Sequence, residues 1–208
     1  MPRAKFDQLA CDSLAQCVKE IESKTDAELV IVIRGVSANY RHADYLFGGV
    51  LAFIGLLVLL FAPVDFHVYW VPIDFVVMFV LGALLCSRSK TLRRLFTSEK
   101  FRKAAVRTSA AAMFYEAGIA NTNAEMGILV YLGLLERRLE LIADRGILTG
   151  VPPLEWNQIL FQLKQAGSNP DVPSLMQGLR DLGALLAEHI PATGENPNEL
   201  PDMPRIEL

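Results

Sequence analysis

Histidine and cysteine are scarce in this chain, and their spacing excludes the chemistry they most often carry. Three histidines occur in 208 residues, and His42, His67 and His189 share no metal-ligand spacing. The three cysteines, Cys11, Cys17 and Cys86, fit neither a metal nor a redox motif. They are expected to be free thiols in a reducing compartment. No glycine-rich loop follows a strand in P-loop form, and no G-x-S-x-G nucleophile elbow occurs. Excess charge of one sign is missing too. The formal net charge is -3, which gives no overall basic footprint for nucleic acid. No internal repeat is visible.

Charge is most conspicuously missing from residues 45–86. Tyr45 to Ala62 carries none, and Val68 to Cys86 carries only Asp74. A bilayer core needs about 20 consecutive apolar residues in a helix. Pro63 and Asp65 mark a turn between the two stretches. Core helices of a soluble protein are usually shorter and keep a polar stripe, whereas Leu46 to Phe61 is apolar on every face. Residues 45–86 are therefore expected to form a transmembrane helical hairpin. Tyr69 and Trp70 fall where an aromatic belt would lie. Arg88, Lys90, Arg93, Arg94, Lys100, Arg102, Lys103 and Arg107 follow the second span, and the connecting loop has no Lys or Arg. By the positive-inside rule both chain ends are expected to be cytoplasmic, with Asp65 and His67 outside. The first span begins too far along the chain for an N-terminal signal peptide. The basic run can hold anionic headgroups, at about 1 kcal/mol per residue, or can simply fix topology.

The hydrophobic fraction of 52% is raised by the hairpin. About 165 residues remain, enough for one soluble domain with a real core. Phe6, Leu9, Leu14, Val18 and Ile21 form a helical stripe, and Leu29 to Ile33 reads as a strand covered on both faces. Ser98 is a candidate N-cap with Glu99 in the first turn, and Gly118 sits at a C-cap position. "MGILVYLGL" and "RLELIADRGI" read as an antiparallel pair joined at Glu136-Arg137. One helix starts near Pro153, with Trp156, Ile159, Leu160 and Leu163 on its apolar face. Another runs from about Val172 to Ile190. Residues 191–208 are rich in proline and acid and are expected to be extended or disordered. The predicted organisation is a soluble domain in two parts, 1–40 and 88–190, with the hairpin between them and the tail after them. The predicted fold class is α/β: a small mixed sheet sandwiched by helices, with a parallel pair and an added antiparallel strand.

"TDAELVIVI", "NAEMGILVYLGLLERRLELIADRGI", "PPLEWNQILFQLK" and "LMQGLRDLGALLAEHIP" together resemble the TPM-domain family. "LERRLELIADRGI" is the most specific of these stretches, and "NPNELPD" resembles the endings of membrane-anchored bacterial members. The resemblance implies an α/β sandwich. It also implies, for some members, a transmembrane segment, and for others phosphatase activity or calcium binding. Bacterial members are often encoded beside membrane-linked LemA-type proteins. Many members carry Asp-Asn-Gly or Asn-Asn-Gly before the second strand. Here Glu125-Met126-Gly127 stands there, and Met126 is no ligand for a hard metal.

Acids at strand ends are the candidates for chemistry, because open α/β sheets bind ligands there. Asp144, Glu125 and Glu28 are candidate catalytic residues; Asp144, Glu125 and Asp26 are candidate calcium ligands, with Asn123 beside them. The alternative for Glu28 is an ion pair with a neighbouring base, and for Asp144 a backbone cap before Gly146. Asp74 is expected either to serve as a proton site or helix contact within the membrane, or to reach the outer interface. Gly48, Gly49, Gly55 and Gly82 can permit close helix approach. Two functions follow as expectations. One is a cytoplasmic interaction or assembly module tethered to the bacterial inner membrane. Its partners would be the bilayer and a membrane protein or further copies of itself, with no cofactor. The other is a phosphatase-like or calcium-binding enzyme.

Overall fold

Five consecutive apolar residues, Leu29 to Ile33, demand cover on both faces of their strand. The computed structural model describes residues 6–63, 67–122, 125–194, 199–201 and 203–207, with the side chain of Val68 left aside. In it the cover is supplied by two helical layers. The chain divides into two units: Met1–Ser37 with Lys103–Leu208, and Ala38–Arg102.

The sheet unit begins with α1 (Gln8–Glu22), whose N-cap Asp7 accepts from the Ala10 amide at 3.0 Å. β1 (Glu28–Arg34) follows. β2 (Gly127–Gly133) lies parallel to β1, in a register pairing Glu28 with Gly127 and Arg34 with Gly133. β3 (Arg138–Ala143) returns antiparallel to β2. The turn between them runs from Leu134 to Arg137, with Arg137 left-handed at φ 51°. The tail contributes a fourth strand, β4 (Arg205–Glu207), parallel to β1, so the sheet order is β3-β2-β1-β4. Within the tail expected to be extended or disordered, Arg205–Glu207 is extended and joins the sheet.

Alternate strand residues part to two cores. Leu29, Ile31 and Ile33, with Ile128, Val130 and Leu132, meet α1, α7 (Pro153–Ser168) and α8 (Val172–His189). Val30, Val32, Leu129 and Tyr131 meet Val106, Ala110, Met113 and Phe114 of α5 (Glu99–Glu116). Ser98 caps α5 as expected, accepting from the Phe101 amide at 3.3 Å. The expected stripes of α7 and α8 are the ones that face the sheet. Gly183 of α8 permits close packing: a Cβ there would lie 2.6 Å from Cγ1 of Ile21. A short helix, α6 (Arg145–Gly150), follows β3.

The second unit contains α2 (Arg41–Phe61), α3 (Val71–Arg88) and α4 (Lys90–Leu95). α2 starts four residues before the uncharged stretch. A 3₁₀ turn, Val68–Trp70, leads into α3, with Pro72 in its first turn. α2 and α3 pack against each other as a helical hairpin.

Candidate functional site

The hairpin comes first, because its surface is unusual. Both helices are long and apolar enough to cross a membrane, and only 17% and 11% of their most apolar windows are buried. A core helix of a soluble protein would be mostly buried. Phe53, Leu60 and Phe61 of α2 and Val76, Leu84 and Leu85 of α3 are exposed. The helix contact is made of small residues. A Cβ on Gly82 would lie 2.9 Å from Cα of Gly48, and one on Gly48 would lie 2.7 Å from the Phe79 carbonyl oxygen. Gly55 faces Met78, while Gly49 meets nothing within 4 Å and takes no part in the contact.

One end of the hairpin is closed by an ion pair that the sequence reading missed. Arg93 donates through Nε to Asp44 Oδ1 at 2.9 Å and through Nη2 to Asp44 Oδ2 at 2.7 Å. Asp44 is 5% exposed although it stands in the first turn of α2. Hydrogen bonding to Asp44 holds the Arg93 guanidinium above its ordinary pKa. Nearby, Cys86 is fully buried, with its Sγ 3.7 Å from the Ala43 carbonyl oxygen. The Phe47 and Phe96 rings meet edge to face at 5.1 Å. Arg93 is thus a clamp residue, which sets it apart from the exposed Arg88. The signal in the sequence was an acid one residue before the uncharged run and a base beyond its far end.

The other residues singled out around the hairpin fall as follows. Trp70 and Tyr69 are exposed, at 64% and 83%. Arg94 is half-buried. Asp74 lies in the first turn of α3, half-buried, with its carboxylate toward Gly55 of α2. An acid there also complements the helix dipole. Asp65 lies outside the described residues.

The strand-end acids are held by backbone groups. Asp144 is the N-cap of α6, and its Oδ1 accepts from the Arg145 amide at 2.7 Å. Its Oδ2 is buried without a hydrogen-bond partner. Glu125 is exposed and left-handed at φ 53°. Its carbonyl accepts from the Gly146 amide at 3.0 Å, so β3 does bring its end to the start of β2. Glu28 is buried, and its Oε2 accepts from the Leu200 amide at 3.2 Å. Asp26 accepts from the amide and hydroxyl of Thr193, at 3.0 and 2.7 Å. Asn123 lies outside the described residues. Among those described, no three His, Cys, Asp or Glu converge as a metal site.

At the opposite strand ends is a polar cluster. The Tyr131 hydroxyl bonds Ser37 Oγ at 3.1 Å and Ser109 Oγ at 2.9 Å. Arg34 donates to Ser109 Oγ at 3.0 Å and to Glu207 Oε2 at 2.7 Å. Burial works against the Arg34 charge, but the bond and the charge of Glu207 outweigh it and raise its pKa. This cluster joins α5, β1, β2 and β4 by residues that no motif marks.

Fold and site together define a mixed α/β sheet domain whose chain is interrupted by an apolar helical hairpin. No protein-family model matches the chain, and no curated protein matches it by sequence. Among solved structures, it is similar to the NMR structure of BA42 protein from the psychrophilic bacterium Bizionia argentinensis. The TM-score is 0.58 at 13% identity, over 96% of this chain and 94% of that one. At that identity the likeness concerns fold alone.

Proposed function

We propose that the chain is a membrane-tethered, TPM-like protein whose sheet domain acts as an interaction or assembly module at the cytoplasmic face of a bacterial inner membrane. The observation that carries this reading is the hairpin's uncovered apolar surface, with helices 17% and 11% buried over their most apolar windows. Such surface is stable in hydrocarbon and a liability in water. The basic residues after α3, with none in the loop between the spans, support a topology with both chain ends inside. The sheet domain supports a module over an enzyme, because Glu28, Asp26 and Asp144 each bond backbone amides. Its partner is a membrane protein.

One observation favours calcium binding as a second reading: the buried, unpartnered Oδ2 of Asp144 beside the Glu125 backbone. Calcium takes six to eight oxygens, so Asp144 would need help from Glu125 and nearby carbonyls.

Four measurements test these readings. Sedimentation of membranes without detergent is expected to carry the native protein into the pellet; recovery in the supernatant removes the anchor. A reporter fused after Leu208 is expected to behave as cytoplasmic. Affinity capture from native membranes is expected to recover a reproducible membrane partner, and its absence counts against the module. Calorimetric titration with calcium, comparing wild type with Asp144→Ala and Glu125→Ala, decides the second reading. Equal background signals remove it.

A further inference from the structure

The outer edge of β1 is covered piecemeal. On its inner side β1 pairs with β2 over all seven residues. On its outer side, among the described residues, Val32, Ile33 and Arg34 alone pair with a strand, β4. Nearer the strand start, the Leu29 amide is taken by the Glu22 carboxylate at 2.9 Å, and Glu28 receives the Leu200 amide. The tail therefore lies along β1 as a bound peptide would. Leu200 packs on the core beside α5, and Ile206 packs on the opposite core. Glu207 pairs with Arg34, and its carbonyl accepts from the Gly35 amide at 2.6 Å. Main-chain bonds at a sheet edge give affinity, and alternate side chains give selectivity.

The tail's strand is three residues long and mostly exposed. Arg205 and Glu207 are exposed and Ile206 is half-buried. Pro204 stands immediately before the strand and Pro201 three residues ahead of Pro204, and proline cannot donate to a ladder. The tail is thereby confined to a short strand beside a longer one. A segment without proline can pair along more of β1 and so displace it.

We propose that the β1 edge is a strand-addition site for an extended segment of a partner protein. That segment carries an aliphatic residue followed directly by a carboxylate, runs parallel to β1, and competes with the chain's own tail. Arg34 reads the carboxylate. The inference rests on the module reading and gives the chemistry of its partner.

The test uses the full chain in detergent micelles and a short labelled peptide. The probe is Arg-Ile-Glu preceded by alternating threonine and valine in place of the native proline-bearing stretch. Binding is read by fluorescence anisotropy. The tethered tail acts at a high effective concentration, so wild type is expected to bind weakly. Glu207→Lys, which opens the tail, is expected to bind about tenfold more tightly. Arg34→Glu combined with Glu207→Ala, which leaves the tail without a charge to pair, is expected to abolish binding of the probe. Binding is expected to return when the probe carries lysine in place of its glutamate. A misfolded variant cannot give that charge-swap rescue. The proposal is overturned if Glu207→Lys binds no better than wild type, or if the swapped probe fails to rescue. It is also overturned if Glu207→Lys instead assembles through its own tail into dimers that bind no probe. A membrane partner captured equally by wild type and Arg34→Glu sinks the edge site and leaves the module. Probe binding without any captured partner does the reverse.

Discussion

Removing the Asp44 carboxylate tests whether the clamp holds the hairpin shut. The pair is bidentate, and its side chains are 8% exposed for Asp44 and 24% for Arg93. Breaking a fully buried pair costs about 3–5 kcal/mol, because one charge is left without a partner. Arg93 keeps some access to water, which reduces the penalty, and about 2 kcal/mol is the expected cost of Asp44→Ala. Cys86 reports opening directly, since it is fully buried and lies against the Ala43 carbonyl. In a background with Cys11 and Cys17 replaced by serine, its alkylation by a maleimide measures how often the hairpin opens. A loss of about 2 kcal/mol raises that rate about thirtyfold at 1.36 kcal/mol per decade. Arg93→Ala is expected to accelerate labelling as well, and the double variant to add little. A purely local charge effect on the thiol would act in opposite directions in the two single variants, since one removes an anion and the other a cation. Opposite signs, or accelerations below about threefold in both, would refute the clamp.

Gly82→Val places a Cβ 2.9 Å from Cα of Gly48, where only backbone movement relieves the clash; a cost of about 1–3 kcal/mol is expected, read by the same Cys86 labelling. Gly183→Ala meets only the side chain of Ile21, at 2.6 Å, and is expected to cost about 1 kcal/mol, seen as a lower melting temperature of the sheet domain. Burial pushes the Cys17 thiol pKa up, with Arg180 opposing and Glu20 adding to it. A thiol raised in the folded state contributes stability that is whole below the unfolded value and lost as pH rises through the folded one. The stability difference between wild type and Cys17→Ala is therefore expected to shrink above about pH 8.5, checked by urea midpoints across that range.

The periodic features were legible in the sequence, because burial imposes them residue by residue. Leu29 to Ile33 had to be a strand covered twice, and the leucines at 175, 179, 182, 185 and 186 had to share a helix face. The turn at Arg137 and the caps at Ser98 and Asp144 follow from local chemistry. Contacts between distant residues leave no such trace. Asp44 and Arg93 are 49 positions apart, and Arg34 and Glu207 are 173 apart. β4 was hidden for the same reason. A three-residue strand has no measurable alternation, and prolines around it carry the opposite signal.

Where the hairpin enters the sheet domain leads to a last prediction. Among the described residues, every member of both hydrophobic cores comes from before Ser37 or after Lys103, and none lies in residues 38–102. The chain leaves and rejoins the sheet domain at neighbouring points. A Cβ on Gly133 would lie 2.8 Å from Ser37 Oγ and 3.1 Å from Cγ2 of Val106. An insertion between two such points must bring the chain back to where it left, and two antiparallel helices do so while one does not. Replacing residues 38–102 by a short glycine-serine linker keeps every residue of both cores and costs α5 only its Ser98 cap and first turn, and closing so short a loop is entropically cheap. The shortened chain is therefore expected to stay in the supernatant without detergent and to unfold in one cooperative transition, with Trp156 as the fluorescent reporter in its core. Aggregation of the shortened chain, or a melt with no cooperative step, would show that the sheet domain depends on its insertion for folding. The hairpin would then be part of the fold's foundation and not an anchor set into a connection.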